Sequence, residues 1–489
     1  MQNFWLPTKP LRFKRHAPLL LLLALLFASC AAPREATVLI SMIPEQEKDF
    51  RETLVPPFEK KNNCRLRVVS YRDSGDVEKA VRSHPGKVLL VKTPFERIQG
   101  LLRAGLMMSV DSAAGEKKLK EIRDKYFLLQ LATFDGKLYY FPRKFECRIM
   151  MYLKSRVAEA VAHWEKKKGP IAEALRRHNG LGLPANYALE TDPNQWDFYD
   201  VFVAGWYWAH TDSTGNVTPK IGHRGKRYSG TAQRLVDRVY EMGGDRTSIV
   251  KMTGDFVADA FEWEAVYAQE NIYNPRMLKE GWSGSDVWKG FKNNDVYLAF
   301  MTQLDGFFIH GTYSRELPGY LDNPDDLGFA VMPKGVSLQL NADGSYRREG
   351  THAVSTGGWW WGIPKDSPYP DLSVKLAEWI LDNDNQVDGC TKFGMIPVRK
   401  DILGDIGLLF GRNWLSEIYD VSLKQVVYNQ FRTVPVMKDY KLLEDLYLDA
   451  WFDMVAGGNW AGDGEIVSRD YIRNRLNTMY RPRADSLSE

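Results

Sequence analysis

Two short segments and the histidines carry residue types that could perform catalysis or bind a metal. The segment 281–285 (GWSGS) is close to the nucleophile turn of serine hydrolases, but Ser285 stands where the last glycine is needed. The segment 382–388 (DNDNQVD) has the spaced oxygen ligands of a calcium loop, but Val387 and Phe393 replace the required glycine and glutamate. The eight histidines include no H-E-x-x-H zinc motif. The sequence therefore predicts no catalytic residue, no metal site and no cofactor.

Strands and helices alternate in the part of the chain that follows the first 35 residues. Three apolar runs predict strands and three segments predict helices: 37–40, 65–69 and 88–91 for the strands, and 49–61, 77–83 and 95–104 for the helices. This order predicts an α/β fold with a mainly parallel sheet that is covered on both faces. Ligands of such sheets bind beyond the carboxyl ends of the strands. Here these ends are 41–46, 70–73 and 92–94.

The first 29 residues have the pattern of a secretory signal peptide. Four basic residues precede an apolar run over 19–27, which is shorter than a bilayer span and is followed by small residues. The segment 26–30 (LFASC) resembles the lipobox of bacterial lipoproteins, in which the cysteine is lipidated and becomes the new N-terminus. This resemblance implies a lipid anchor at Cys30 and a location in the periplasm or at the cell surface.

The rest of the chain is nearly neutral. The whole sequence has 65 basic and 62 acidic residues, and the four basic residues of the signal segment account for this excess. A neutral body argues against nucleic acid or an anionic membrane surface as the main partner. The later cysteines, Cys64, Cys147 and Cys390, are odd in number, so they cannot all pair within one chain, and the sequence does not select a pair.

Seven ordered motifs carry a resemblance to a known family. They are 101–111 (LLRAGLMMSVD), 135–142 (DGKLYYFP), 150–154 (MMYLK), 291–301 (FKNNDVYLAFM), 327–333 (LGFAVMP), 357–367 (GGWWWGIPKDS) and 393–399 (FGMIPVR). In this order, the chain resembles the extracellular solute-binding proteins of ABC sugar importers, family 1. Lys92 departs from the family pattern, because an acidic residue often follows that strand.

The resemblance implies two α/β lobes in the type II fold of periplasmic binding proteins, joined by hinge crossovers. The first lobe would take residues 36–140 and 333–385, and the second 143–330 and 390–489. Hinge motion would close the lobes on a small solute, which favours the closed form because only that form contacts the solute from both sides. The implied partners are a sugar or oligosaccharide and the permease subunits of an ABC importer.

Aromatic side chains in such a cleft would stack on the apolar faces of sugar rings. Trp359 and Trp360 follow two glycines, which allow the backbone to come close to a ligand, and they are predicted to face the cleft. Trp206 and Trp208, in the second lobe, are further candidates. Trp361 is predicted to pack in the core, because side chains alternate along a strand.

Polar side chains near strand ends would bind the sugar hydroxyls. The candidates of the first lobe are Glu45, Arg72 and Asp73, and those of the second lobe are Gln303 and Asp305. Arg143 and Lys144 follow the first crossing and would favour an anionic solute.

Two alternatives remain open at the level of the sequence. The first is a surface glycan-binding lipoprotein that is not coupled to an ABC importer. The second is a lipid-anchored glycoside hydrolase, which would need two carboxylates in fixed geometry. Glu262 and Glu264 are two positions apart on a predicted helix and would point to different sides, so we expect a binding protein rather than an enzyme.

Overall fold

The computed structural model describes residues 32–72, 74–210, 215–311, 319–407, 411, 413–430, 432–457 and 466–487. The predicted signal peptide 1–29, the predicted lipidation site Cys30 and the predicted ligand residue Asp73 lie outside the described residues. Within the described ranges, no helix is both long and apolar enough to cross a membrane.

The strands form two larger sheets and one small hairpin. In chain order they are β1 (Arg34–Ile40), β2 (Cys64–Ser70), β3 (Val88–Pro94), β4 (Met107–Met108), β5 (Thr133–Phe134), β6 (Lys137–Leu138), β7 (Tyr140–Glu146), β8 (Arg148–Leu153), β9 (Ile221–Gly222), β10 (Leu298–Thr302), β11 (Leu327–Ala330) and β12 (Gly357–Pro364).

Helices cover both sheets. In chain order they are α1 (Pro44–Asp49), α2 (Val55–Asn62), α3 (Val77–Arg82), α4 (Ile98–Arg103), α5 (Val110–Ala114), α6 (Glu116–Lys125), α7 (Lys154–His163), α8 (Lys168–Asn179), α9 (Phe198–Ala209), α10 (Ser229–Glu241), α11 (Arg246–Lys251), α12 (Asp255–Gln269), α13 (Arg276–Lys279), α14 (Gly284–Lys292), α15 (Gln303–His310), α16 (Pro370–Ile380), α17 (Asn383–Phe393), α18 (Lys400–Gly404), α19 (Trp414–Asn429), α20 (Tyr440–Trp451), α21 (Arg469–Arg475) and α22 (Arg481–Asp485).

The first sheet has the strand order β2–β1–β3–β12–β4, and β7 also pairs with β12. β1 runs parallel to β2 and β3, whereas β12 is antiparallel to its partners β3, β4 and β7. β3 is buried along its whole length, as a strand covered on both faces should be. The predicted parallel arrangement of the first three strands is therefore confirmed.

The second sheet has the strand order β11–β8–β10–β9. β8 is antiparallel to β10 and β11, and β10 is parallel to β9. β8 is buried throughout, because helices cover this sheet as well. The two sheets with their helices confirm the predicted two-lobed α/β fold.

A single residue, Cys147, separates the last strand residue of the first sheet from the first of the second. β7 ends at Glu146 and β8 begins at Arg148. Cys147 N donates a hydrogen bond to Gln303 Oε1 at 3.1 Å, and Gln303 N donates to Cys147 O at 3.2 Å. This pair of bonds fixes the crossover against the start of α15.

The two prolines at 56 and 57 do not end the helix that the sequence predicts in this region. The chain stays helical from Pro44 to Asn62, because a π-helical turn at Phe50–Leu54 joins α1 to α2. In this turn Val55 N donates to Phe50 O, five residues earlier. Prolines lack the N–H that continues an α-helix, and the single π-turn keeps the chain helical through this irregularity.

The segment between β11 and β12 contacts helices beside the second sheet. Tyr199 OH donates to Leu338 O at 2.6 Å, and Trp263 Nε1 donates to Val336 O at 2.6 Å. The sequence predicted 333–385 in the first lobe. We propose instead that 333–356 belongs with the second lobe, since these contacts are made by α9 and α12.

The segment around α17 contacts the first sheet and its helices. Gln386 Nε2 donates to Arg143 O at 3.3 Å, Phe127 N donates to Val398 O at 2.8 Å, and Lys392 Nζ lies 2.9 Å from an Asp49 carboxylate oxygen. The sequence predicted that the second lobe resumes at residue 390. We propose that 383–399 belongs with the first lobe.

Candidate ligand-binding cleft

A cavity of about 340 Å³ lies where the two sheets meet. Its first wall follows the carboxyl ends of β1, β2 and β3, which is where the sequence predicts a ligand. Its second wall comes from the residues after β9, the end of β10 and the start of α10. The lining residues are Ser41, Arg72, Pro94, Glu96, Glu146, Cys147, Arg148, Arg224, Tyr228, Ser229, Gly230, Gln233, Thr302, Ser355, Gly357, Gly358, Trp359 and Val434.

Trp359 is the tryptophan of the β12 run that lines this cavity. Its side chain is half-buried, and Lys92 Nζ lies 3.6 Å from the centroid of its ring. Lys92 Nζ also donates to Ser41 O, which holds the ammonium at this position. Just before Trp359, Gly358 has a φ of 137°, a conformation that favours glycine. The cavity therefore has an aromatic wall that is in contact with a cation.

Trp360 lies in the core and does not line the cleft, which corrects the sequence prediction. Its ring packs against Phe95 with a centroid distance of 6.1 Å. The pairing of β12 with β7 shifts between Trp359 and Trp360, so the run of tryptophans is irregular at this point. Trp361 is fully buried and stacks on Phe50 at 5.8 Å, and the prediction that it packs in the core is confirmed.

Trp206 and Trp208 do not line the cleft either. Both are buried on α9, whose residues are buried on all sides, so the helix offers no face to the cavity. Trp206 stacks on His210 with a centroid distance of 3.9 Å. Trp208 Nε1 donates to Arg156 O at 3.0 Å. The structure gives both tryptophans packing contacts where the sequence predicted ligand contacts.

Asp305 lies behind the cavity wall and holds Arg224, which lines it. Arg224 Nη2 donates to the two Asp305 carboxylate oxygens at 3.2 and 3.0 Å, and Trp288 Nε1 donates to Asp305 Oδ1 at 2.9 Å. Asp305 also accepts from Thr302 at the start of α15, where it completes a capping box. Asp305 therefore positions Arg224, and Gln303 is buried against the crossover.

The charged residues of the crossover separate into two groups. Arg143 lines a different cavity of about 40 Å³ in the first lobe, together with Asp49 and Gln386. Burial there lowers the pKa of Arg143 to about 10. Lys144 is buried and donates to Glu146, which does line the cleft. Burial raises the pKa of Glu146, but the charges of Lys144 and Lys92 outweigh it and lower the pKa overall.

Of the three predicted polar residues of the first lobe, Arg72 lines the cleft. Its side chain is exposed, and it has no ion-pair or hydrogen-bond partner among the described residues. Glu45 is half-buried in the first turn of α1 and is not part of the cavity wall. Of the predicted ligand residues, Arg72 and Trp359 therefore line the wall, and Asp305 positions the lining residue Arg224.

The sequence analysis missed several lining residues, among them an arginine, Arg148, and an acid, Glu96. Arg148 is paired with the buried Asp237, and its Nη2 also lies 3.3 Å from Gln233 Oε1. Glu96 is buried in the wall, and burial raises its pKa to about 7. Arg148 and Glu146 lie within five residues of Arg143. The run of charged residues at the crossover could therefore have indicated that these two residues line the cleft.

Glu262 and Glu264 point to different sides of α12, as predicted. Glu262 accepts from Gln339 and Arg469 at 2.7 Å each, whereas Glu264 accepts from Arg238 at 2.8 Å. Both are buried within ion pairs and neither lines the cleft. Within the described ranges, no group of three or more His, Cys, Asp or Glu side chains is arranged to hold a metal ion.

A family model for bacterial extracellular solute-binding proteins matches residues 53–406 of this chain. The chain belongs to this family. The solute-binding protein therefore acts in a periplasmic or extracellular location. Its cleft between two lobes, with polar and aromatic walls, is the expected place for the solute.

Solved structures of other solute-binding proteins share this fold. Maltose-bound MalE3 of T. maritima is 14% identical, with a TM-score of 0.64 over 91% of this chain and 99% of that chain. An ABC transporter solute-binding protein of Thermotoga lettingae bound to α-D-tagatose is 14% identical, with a TM-score of 0.64 over 92% and 99%. One from Agrobacterium vitis with bound D-mannitol is 14% identical, with a TM-score of 0.62 over 92% and 98%. No curated protein matches the chain by sequence.

Proposed function

We propose that this solute-binding protein captures a short saccharide in the cleft and delivers it to an ABC importer. The observation that carries the proposal is the position of Trp359, whose ring forms one wall of a cavity that is otherwise lined by hydrogen-bonding side chains. An aromatic ring binds the apolar face of a sugar, and polar groups around it bind the hydroxyls. This combination is typical of sugar-binding sites.

The polar wall offers both donors and acceptors at several positions. Arg72 supplies guanidinium donors, Glu96 a carboxyl group, and Ser229, Gln233 and Thr302 supply groups that can donate or accept. The volume of about 340 Å³ is at the lower end of the range for small-molecule sites, which favours a short saccharide over a long chain. The bound maltose, tagatose and mannitol of the similar solved structures support the same class of solute.

Capture by lobe closure follows from where the cavity residues are attached. Arg72 follows β2 and Trp359 lies on β12 of the first sheet, whereas Arg224 follows β9 and Thr302 ends β10 of the second sheet. A solute that contacts both sets shifts the population toward the closed form. The crossover at Cys147 lies between the sheets and lines the cavity, so rotation there would open and close the cleft. The importer would then recognise the closed form.

We also propose that Cys30 is lipidated and anchors the protein to a bacterial membrane. Cys30 follows the apolar run and small residues of the signal segment. Replacing Cys30 by serine should release the protein from the membrane fraction without changing solute affinity. Fractionation followed by immunoblotting checks this, and a Cys30→Ser protein that still sediments with membranes would contradict the anchor.

A thermal-shift screen of mono-, di- and trisaccharides tests the proposed function, since a solute that binds only the native protein raises its Tm. Trp359→Ala should weaken the hit by about tenfold or more in calorimetry. The matched control is Trp379→Ala, because Trp379 is also half-buried in the first lobe and also has a lysine, Lys61, above its ring at 5.7 Å. A screen without any hit, or equal losses in both variants, would reject the proposal.

A further inference from the structure

The described residues that line the cleft include three arginines, Arg72, Arg148 and Arg224, and two acids, Glu96 and Glu146. Of the lining cations, Arg148 is paired with Asp237 and Arg224 with Asp305, and the lining Glu146 is paired with Lys144. Arg72 remains in the wall without a partner among the described residues. Lys92, above Trp359, donates to a backbone carbonyl rather than to a carboxylate.

Arg224 also has unused hydrogen-bonding capacity in the same wall. Its Nη2 is bound to Asp305, but its Nε is buried and has no hydrogen-bond partner among the described residues. This N–H is closed off from the cavity, but 20% of the Arg224 side chain is exposed, which allows the guanidinium group to meet a solute.

The N-terminus of α10 opens on the cavity. Tyr228, Ser229 and Gly230 line the wall, and α10 has neither a side-chain cap at Tyr228 nor an acidic residue in its first turn, although the buried Glu444 of α20 accepts a hydrogen bond from Ser229 Oγ. The free N–H groups and the dipole of a helix favour a negative charge at this end. α10 runs for 13 residues, so its dipole is fully developed.

The buried lysines near Trp359 repel one another. Burial and the neighbouring charges of Arg143 and Lys144 lower the pKa of Lys92 well below its ordinary value. Burial also lowers the pKa of Lys144. A bound anion would relieve this repulsion and favour the charged form of Lys92.

We propose that the solute is an acidic saccharide, whose carboxylate is bound by Arg72 and Arg224 near the start of α10 while its ring lies on Trp359. This inference rests on the proposed function, because it assumes that the cleft binds a saccharide. A carboxylate suits the guanidinium groups, which recognise planar anions through charge-assisted hydrogen bonds. Arg72 has no ion-pair partner among the described residues, so we expect it to make the cleft bind an acidic ring more tightly than a neutral one.

Calorimetry with matched pairs of ligands tests the inference. Each pair consists of a disaccharide that contains galacturonate, glucuronate or mannuronate, and the same disaccharide with its carboxylate reduced to a hydroxymethyl group. We expect at least one acid to bind about tenfold or more tightly than its reduced partner, with an affinity that falls as salt increases. Arg72→Gln should remove most of this preference, because it should weaken binding of the acid much more than binding of the reduced partner.

Arg67→Gln is the matched control, because Arg67 is exposed on β2, the strand that ends two residues before Arg72, and does not line the cavity. Since Arg72 is exposed, its substitution should not prevent folding, and a Tm measurement checks this. If reduced disaccharides bind as tightly as the acids, the inference is wrong and the proposed function stands. If no disaccharide of either set binds, the inference is wrong, and the thermal-shift screen of mono-, di- and trisaccharides decides the proposed function. An acid preference that survives in Arg72→Gln would overturn the role of Arg72.

Discussion

Two of the regions in which arginine and carboxylate side chains gather are the cleft and a cluster among the helices beside the second sheet. The buried ion cluster consists of Arg234, Arg238, Glu241 and Glu264, and none of its side chains is more than 2% exposed. Arg238 Nε donates to Glu264 Oε1 at 2.8 Å, and Arg238 Nη1 donates to Glu241 Oε2 at 3.2 Å. In the cleft, the arginines face a cavity instead.

The difference lies in whether the charges are balanced within the protein. The buried ion cluster has two arginines and two glutamates, and Tyr273 and Trp451 donate further hydrogen bonds to Glu264 at 2.8 and 3.1 Å. Burial raises the pKa of Glu264, but Arg238 and Arg234 outweigh it and lower the pKa to about 2. Arg72 in the cleft has no such partner among the residues that the structure describes. The same residue types therefore stabilise one region and are available to a solute in the other.

The largest expected effect is the loss of one member of the buried ion cluster. Arg238→Ala leaves Glu241 and Glu264 without their main counter-charge, and it should lower the free energy of unfolding by about 3–5 kcal/mol. Urea denaturation followed by circular dichroism measures this. Arg176→Ala is the control, because its pair with Glu173 is exposed and should contribute about 1 kcal/mol or less. A loss below that of the control would contradict the role of the cluster.

Two tryptophans of β12, Trp359 and Trp361, should differ in their effects on stability and on binding. Trp361→Ala removes a fully buried ring and should lower the free energy of unfolding by about 3 kcal/mol. Trp359→Ala should change stability much less, because this ring is half-buried at the cavity. Denaturation curves and solute titrations of both variants check the comparison. Equal losses of stability, or unchanged binding by Trp359→Ala, would remove the distinction between wall and core.

Glu96 should make stability depend on pH near the cleft. Burial raises its pKa from 4.5 to about 7, with a smaller contribution from Glu444, while Arg97 acts in the opposite direction. The folded protein therefore holds this proton more tightly than the unfolded chain does. The stability from this group is present below pH 4.5 and is lost as the pH rises through about 7.

Glu96→Gln should remove this dependence. At pH 8 the free energy of unfolding of the variant should exceed that of the original protein by on the order of 2 kcal/mol, and at pH 5 the two should differ little. Denaturation at both values of pH measures the difference. A gain that is the same at pH 5 and pH 8 would show that Glu96 titrates at its ordinary pKa.

The smallest expected effect concerns an ion pair that joins the two lobes. Arg97, just after β3, lies 3.0 Å from Glu444 on α20, and Glu444 also accepts from Ser229 Oγ at 2.5 Å. Replacing both charged residues by glutamine avoids an unpaired buried charge. Because the double variant lacks an interlobe contact and no residue that faces the solute is changed, its affinity should fall by a few-fold, about 1 kcal/mol or less. Unchanged affinity would show that this pair does not affect closure.

Local pattern predicted much of the fold and part of the cleft. The apolar runs gave β1 to β3, and the rule for parallel strand ends placed Arg72 and the segment around Pro94 at the cavity. Trp206, Trp208 and Trp360 were predicted to bind the ligand, but the structure does not place them in the wall of the cleft. A sequence shows that a tryptophan is present, but its exposure depends on what packs against it, such as Phe95 against Trp360.

The sequence by itself determined the strand and helix order, the family motifs and the near-neutral charge, because these depend on residue type and short-range spacing. Only the tertiary structure decided which charges are balanced. Arg148 meets Asp237 across 89 residues, and Arg224 meets Asp305 across 81 residues. Such pairs form when distant segments pack together. In the described part of the chain, they leave Arg72 beside the aromatic wall without an ion-pair partner.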